Sequence, residues 1–316
     1  MKTTSVNGIE LAYDVQGEGE PVLFIHGAIW ADFLRPLAEE PAFSGFQRIR
    51  YHRRGYGESG GPAGGFDVHA ADIVALLDRI EVDRAHLVGH SEGAMIALVF
   101  AASYPDRVRS LALLEPLPSS SWLAASDFAD LLGILGPAFE AMVGRYQAGD
   151  IAGAYDALFE PTGLDWRAAA EAAGPGVVEQ GIKEAATFVE GEASALVGWN
   201  YGVEQAATTD SPVLSWGTAS DNPINPATRA FLHELFPQRE EVILEGGDHF
   251  SVTTDPTAVA EPIAEFVSRH SAAASLNDAR RRNDRRGTGQ GQASAHLPRT
   301  LPMLRLVRFR RRDLPR

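Results

Sequence analysis

A serine flanked by two glycines is the residue of this sequence best suited to nucleophilic chemistry. Gly89-His90-Ser91-Glu92-Gly93 stands between the end of one apolar segment and the start of another. A serine on a sharp strand-to-helix turn has a strained backbone, and flanking glycines remove side chains that would clash there. Its hydroxyl projects at the helix N-terminus, where the helix dipole favours a developing oxyanion. Ser91 is therefore our candidate nucleophile for an ester-like carbonyl.

A serine hydroxyl needs a positioned base, and His249 is the histidine best placed to act as one. It follows the last predicted strand in Glu245-Gly246-Gly247-Asp248-His249, where a glycine-rich loop can turn it back over the sheet. His26 follows the first long strand and precedes Gly27. We expect His26 to brace a loop whose backbone N–H groups face Ser91.

Two carboxylates at predicted strand ends compete for the acid that would orient His249. Glu115 ends the strand after the Ser91 helix, and Asp221 follows the next strand. A carboxylate at the end of an otherwise apolar strand is costly unless it is paired, which favours a role for Glu115. Both residues remain candidates, with Glu115 preferred.

Two further patterns resemble a cofactor site and a metal site, but the residues around each pattern argue against that interpretation. Residues 55–60 match G-x-G-x-x-G, but more glycines and a proline follow where a dinucleotide-binding helix would begin. His86 and His90 are four residues apart on a predicted strand, which separates them by about 13 Å, too far to share one metal ion. We predict no cofactor and no metal.

The elements that must position these residues alternate between strands and helices. Eight strands are predicted, and this alternation is typical of a mostly parallel α/β sheet covered by helices on both faces. The alternation stops after the sixth strand. Residues 116–207, which follow it, are rich in Ala, Gly and Glu and are predicted to be a helical insertion. Residues 1–115 and 208–270 form the core, and residues 271–316 are predicted to be a basic, disordered tail.

Charge and composition exclude several partners. The chain has a net charge of −14, although residues 271–316 carry twelve Arg against three Asp. So acidic a main body would repel phosphates, which argues against nucleic acid or an anionic membrane as partner. There is no cysteine and no apolar stretch approaching the ~20 residues of a membrane span. A cytoplasmic location is expected.

Several motifs in order give the chain a resemblance to the α/β-hydrolases of the capped esterase and C–C hydrolase type. They are His26-Gly27, Arg54-Gly55-Tyr56-Gly57-Glu58-Ser59, Gly89 to Gly93, Tyr104-Pro105-Asp106-Arg107-Val108 and Gly247-Asp248-His249-Phe250. The resemblance implies a Ser–His–acid triad without a cofactor, an oxyanion hole from the backbone N–H groups of Ala28 and Glu92, and a cap formed by residues 116–207. It also supports Glu115 as the acid.

The predicted function is hydrolysis of a carboxylic ester or lactone through an acyl-enzyme. C–C bond hydrolysis, perhydrolysis and acyl transfer remain open on the same residues, as does a non-catalytic protein that binds a small ligand. A serine at this position disfavours epoxide hydrolysis, for which similar folds use Asp. Cap aromatics suggest an apolar or aromatic substrate pocket, although most are expected to pack cap helices instead: Trp122, Phe128, Phe139, Trp166, Phe188 and Trp199. Oligomeric state is not predicted.

Overall fold

The protein is built on one twisted sheet whose apolar strands form its centre. The computed structural model describes residues 1–271 and the backbone of residues 306–309. The strands are β1 (Lys2–Val6), β2 (Ile9–Gln16), β3 (Pro21–Ile25), β4 (Gln47–Tyr51), β5 (Ala85–His90), β6 (Val108–Leu114), β7 (Val213–Thr218), β8 (Glu240–Leu244) and β9 (Leu306–Phe309). Their order in the sheet is β1-β2-β4-β3-β5-β6-β7-β8-β9.

The sheet is parallel except at one edge, as the sequence predicts. β1 and β2 form an antiparallel hairpin, β2 pairs antiparallel with β4, and the remaining pairs are parallel. Every residue of β5 is buried. A strand that is buried on both faces has a nearly continuous run of apolar residues, as β3 does.

The eight predicted strands are present as β1 to β8, and a ninth strand joins them at the edge of the sheet. β9 lies in the segment expected to be a disordered tail and pairs parallel with β8. The backbone of β9 thereby takes up the hydrogen-bonding groups that the edge of β8 would otherwise leave unpaired. The rest of that segment, residues 272–305 and 310–316, lies outside the described residues.

Helices cover the sheet and fill the interval between β6 and β7. The α-helices are α1 (Arg35–Ala38), α2 (Phe66–Arg79), α3 (Glu92–Ser103), α4 (Ser120–Ala125), α5 (Leu132–Gln147), α6 (Ile151–Phe159), α7 (Trp166–Ala173), α8 (Val177–Ala186), α9 (Ala193–Val197), α10 (Val203–Ala206), α11 (Ile224–Leu235), α12 (Ser251–Thr254) and α13 (Pro256–Arg269). A π-helical stretch, Thr187–Glu192, connects α8 to α9. None of the helices in residues 1–271 combines the length and apolar composition needed to cross a lipid bilayer.

Helix α3 explains why the turn at Ser91 is rigid. Its residues from Glu92 to Leu98 are all buried, and the helix is apolar on every side rather than amphipathic. A helix of that kind belongs in the interior of a large domain. The start of α3 is therefore held by packing on all sides, directly at the end of β5.

Candidate active site

Ser91 occupies the tight turn between β5 and α3. Its backbone has φ 55° and ψ −124°, a sparsely populated conformation for a residue with a side chain. A Cβ added to Gly89 would lie 2.5 Å from the carbonyl oxygen of Gly93, and one added to Gly93 would overlap the carbonyl oxygen of Ile25. Both glycines are thus required by close backbone approach, which is the reason the sequence pattern gave for them.

Two residues with unpaired backbone N–H groups in the described part of the chain line the same pocket as Ser91. Ala28 lies in the loop after β3, and Glu92 is the first residue of α3, where an N–H has no acceptor within the helix. Within residues 1–271 neither N–H donates a backbone hydrogen bond. Ala28 and Glu92 are the residues whose N–H groups the resemblance implied as oxyanion donors, and that role stays a prediction.

The loop that carries Ala28 is itself strained. Ile29 has φ 76°, and the N–H of Trp30 donates to the carbonyl of Ala28 at 2.9 Å, which closes a three-residue γ-turn. A γ-turn with positive φ is rare and costly, the more so for a β-branched residue. Such strain persists only where the surrounding structure fixes the backbone, and Ile29 is almost completely buried.

His249 is oriented by Glu115. The Nδ1–H of His249 donates to Glu115 Oε2 at 2.8 Å, which leaves Nε2 with its lone pair. The other oxygen of Glu115, Oε1, accepts hydrogen bonds from the backbone N–H of Thr218 at 2.8 Å and from its hydroxyl at 2.9 Å. Glu115 is only 5% exposed, so these three bonds compensate a buried carboxylate.

Asp221 does not join this arrangement. It is exposed, and within residues 1–271 it makes no hydrogen bond or ion pair with His249. The reason lies in β7, which ends at Thr218, three residues before Asp221. Thr218 therefore takes the place beside Glu115, and Asp221 lies beyond it in the following loop.

Known proteins resemble this arrangement in sequence and in fold. A family model described as alpha/beta hydrolase fold matches residues 20–132. Epoxide hydrolase 2 of Siraitia grosvenorii is 36% identical over 119 residues, covering 36% of this chain and 37% of that relative. The 2-hydroxy-6-oxo-2,4-heptadienoate hydrolase of Pseudomonas putida is 33% identical over 122 residues, covering 34% of this chain and 41% of that relative.

The fold comparison extends over most of the chain. A carboxylesterase structure from Nitrososphaera gargenis superposes with a TM-score of 0.66 at 19% identity, covering 85% of this chain and 98% of that structure. The chain has the α/β-hydrolase fold. Since the sequence matches span only about two fifths of each curated relative, the chemistry of this hydrolase-fold chain has to be argued from its own residues.

One contact to His249 was missed from the sequence. His90, which precedes Ser91, is buried, and its Nε2–H donates to the carbonyl oxygen of His249 at 2.9 Å. The two imidazole rings lie 4.5 Å apart between centroids. Burial, followed by repulsion from His249, lowers the pKa of His90 well below its ordinary value, so this ring is neutral. No pattern around His90 marks this role, because its partner is 159 residues away.

His26 lies where the sequence predicts. Its Nδ1–H donates to the carbonyl of Gly27 at 2.8 Å, and its Nε2 accepts the N–H of Arg53 at 3.0 Å. Burial, and then the charge of Arg53, lowers the pKa of His26 well below its ordinary value. A neutral ring with the proton on Nδ1 satisfies both bonds, and His26 thus holds the loop before Ala28.

The pocket at Ser91 is lined mainly by apolar surface and has a volume of about 110 Å³. Of the six aromatics singled out in residues 116–207, Phe139 and Phe188 line it. The others pack elsewhere, as expected for most of them; Trp166, for example, stacks on Trp30. No Lys or Arg is among the residues that line the pocket in the described part of the chain.

Proposed function

We propose that this chain hydrolyses neutral carboxylic esters or lactones through an acyl-enzyme formed on Ser91. The hydrogen bond between His249 Nδ1 and Glu115 Oε2, in a pocket that the strained Ser91 also lines, carries the proposal. A base that is oriented by a buried carboxylate and leaves Nε2 free is the arrangement that activates a serine hydroxyl.

The chemistry follows from the positions of these groups. His249 Nε2 removes the proton of Ser91 Oγ as that oxygen attacks the substrate carbonyl carbon. The N–H groups of Ala28 and Glu92 stabilise the negative oxygen that forms. When the tetrahedral intermediate collapses, the alcohol leaves with the proton from His249. Water then attacks the acyl group with His249 again as base, and the acid is released.

A serine nucleophile distinguishes this proposal from epoxide opening. If Ser91 Oγ attacked an epoxide carbon, the product would be a hydroxy ether bound to the enzyme. An ether has no carbonyl that water can attack, so the enzyme would stay blocked. An acyl group on Ser91 is an ester, and the same base and oxyanion donors can hydrolyse it.

The lining of the pocket favours a neutral substrate. A carboxylate moved into an apolar pocket without a cation loses its hydration without compensation. The dienoate named in the Pseudomonas putida relative carries such a carboxylate, whereas the lining described here offers no Lys or Arg. The volume of about 110 Å³ is below the ~150 Å³ of a cavity that holds benzene, which suits a compact acyl group.

Steady-state kinetics test the proposal. Ser91→Ala should abolish turnover of p-nitrophenyl acetate while circular dichroism stays unchanged, and wild type should also hydrolyse uncharged lactones. A matched pair of esters that differ only by a terminal carboxylate tests the second part. We expect the neutral ester to have the higher kcat/KM by roughly 10- to 100-fold. Equal turnover by Ser91→Ala would overturn the nucleophile, and preference for the charged ester would overturn the substrate class.

A further inference from the structure

Arg53 connects both oxyanion donors from behind the pocket. Its side chain is completely buried. One guanidinium nitrogen, Nη2, donates to the carbonyl oxygen of Gly27 at 2.9 Å and to Glu92 Oε2 at 2.7 Å. These two acceptors belong to Gly27, which precedes Ala28, and to Glu92, and all three residues line the pocket with Ser91.

The contact with Gly27 fixes the direction of one of these groups. The carbonyl of Gly27 and the N–H of Ala28 belong to the same planar peptide unit and point in opposite directions. A donor that holds the oxygen therefore sets the orientation of the N–H. His26 and Arg53 both donate to this oxygen, at 2.8 and 2.9 Å. The second contact of Arg53 anchors the side chain of Glu92 and with it the first residue of α3.

A carboxylate from the helical segment between β6 and β7 holds Arg53 in place. Glu192 is completely buried, and its Oε1 accepts from Arg53 Nη1 at 2.8 Å. The same carboxylate accepts the hydroxyl of Tyr56 at 2.5 Å and Nε2 of His69 at 2.7 Å. Burial, and then the charge of Arg53, lowers the pKa of His69 to about 3, so Arg53 is the cation that balances the carboxylates here.

The π-helical stretch that carries Glu192 also contributes to the pocket. Phe188 lines the pocket, and the hydroxyl of Thr187 donates to the carbonyl of Gly55 at 2.7 Å. π-Helical turns are rare and occur frequently at functional sites. One short stretch thus contacts the core loop, lines the pocket and places Glu192 on Arg53.

A neighbouring ion pair shows what a purely structural pair looks like. Arg54 forms two hydrogen bonds with Asp72, at 2.6 and 2.8 Å, and both residues are buried. Neither side chain contacts Gly27 or Glu92 in the described residues. Buried ion pairs contribute little net stability. Stability alone therefore does not explain why Arg53 bridges the two oxyanion segments.

We propose that Arg53 is a positioning residue that orients both oxyanion donors, and that Glu192 of the inserted helical segment holds Arg53 in that position. The inserted segment then completes the oxyanion hole as well as forming the wall of the pocket. This inference rests on the proposed function, because an oxyanion hole has a role only if Ser91 forms a tetrahedral intermediate.

The test compares Arg53→Met with Arg54→Met, alongside wild type and Ser91→Ala. Removal of an oxyanion donor costs 10²–10³ in kcat, so a misoriented pair should lower kcat about 10- to 100-fold with little change in KM. We expect this for Arg53→Met on p-nitrophenyl acetate, together with an equal loss of affinity for a trifluoromethyl ketone, which mimics the tetrahedral oxyanion. Arg54→Met should lower the melting temperature while kcat and ketone affinity stay near those of wild type.

Glu192→Gln keeps the shape of the network and decides the matter if Arg53→Met does not fold. It should lower kcat and ketone affinity in the same direction by a smaller factor, about 3- to 10-fold. Folded Arg53 or Glu192 variants with the kcat and ketone affinity of Arg54→Met would overturn the positioning role. Retained turnover by Ser91→Ala would instead overturn the proposed function, and the positioning role with it.

Discussion

The carboxyl ends of the strands and the inserted helices contribute differently to the pocket. The groups that would do chemistry lie at the ends of strands of the sheet or directly after them: Ala28 after β3, Ser91 after β5, Glu115 after β6 and His249 after β8. The segment between β6 and β7 contributes apolar walls such as Phe139 and Phe188. Its buried carboxylate, Glu192, is not part of this lining in the described residues and binds Arg53 instead.

The difference teaches which part of the chain sets the reaction and which part sets its selectivity. Positions held by a parallel sheet are rigid, and a reaction needs its groups fixed to within a fraction of an ångström. Walls of the pocket need only the right shape and polarity. The network through Arg53 does not follow this division, because there a carboxylate of the helical segment binds the residue that contacts Gly27 and Glu92.

Loss of the acid should give the largest effect on the sheet side. We expect Glu115→Ala to lower kcat for p-nitrophenyl acetate by about 10²–10⁴, because His249 loses the carboxylate that fixes its tautomer. Asp221→Ala removes the exposed carboxylate that follows the next strand. Its kcat should stay within about twofold of wild type. A larger loss for Asp221→Ala than for Glu115→Ala would show that the acid has been misassigned.

A smaller effect is expected for the wall formed by the inserted helices. Phe139→Ala should enlarge the pocket and raise kcat/KM for p-nitrophenyl hexanoate relative to the acetate by about 10-fold. Phe128→Ala is the matched control, since Phe128 stacks on Trp122 and is not part of the lining in the described residues. An unchanged chain-length preference in Phe139→Ala, or an equal shift in the control, would remove this residue from the wall.

The smallest effect concerns stability around Glu92. Burial, opposed by the charge of Arg53 and assisted by that of Glu192, raises the pKa of Glu92 to about 7. An acid with a higher pKa in the folded chain favours folding below its unfolded pKa, and loses that contribution as the pH rises through about 7. Glu92→Gln removes the titrating group. The melting temperature of this variant minus that of wild type should therefore be about 2–4 °C larger at pH 8 than at pH 5.

Thermal unfolding at several pH values checks this prediction. Asp221→Asn, which also removes one negative charge but from an exposed position, controls for the general acidity of the chain. A melting-temperature difference that is flat with pH in Glu92→Gln would show that Glu92 does not titrate in this range.

Local patterns made much of the fold and part of the site predictable. The apolar run of β3 and the glycines around Ser91 each follow from a local physical requirement, so they can be recognised in the sequence. The choice between Glu115 and Asp221 depended on where β7 ends, a boundary that local patterns define poorly. The sequence therefore favoured the residue that the structure places beside His249 without excluding the other.

Long-range contacts were beyond a reading of the sequence. Arg53 meets Glu92 and Glu192 across 39 and 139 residues, and nothing in the local pattern pairs them. The strand β9 was hidden because four residues among many arginines show too little alternation to identify a strand. Both features depend on tertiary pairing rather than on local preference.

The most direct test of the central claim is the mass of the protein after reaction with a fluorophosphonate, a reagent that phosphonylates an activated serine. We predict that wild type gains one phosphonyl group, that digestion places it on Ser91, and that Ser91→Ala gains none. Labelling of Ser91→Ala to the same extent, or no labelling of folded wild type, would contradict the assignment of Ser91 as the nucleophile.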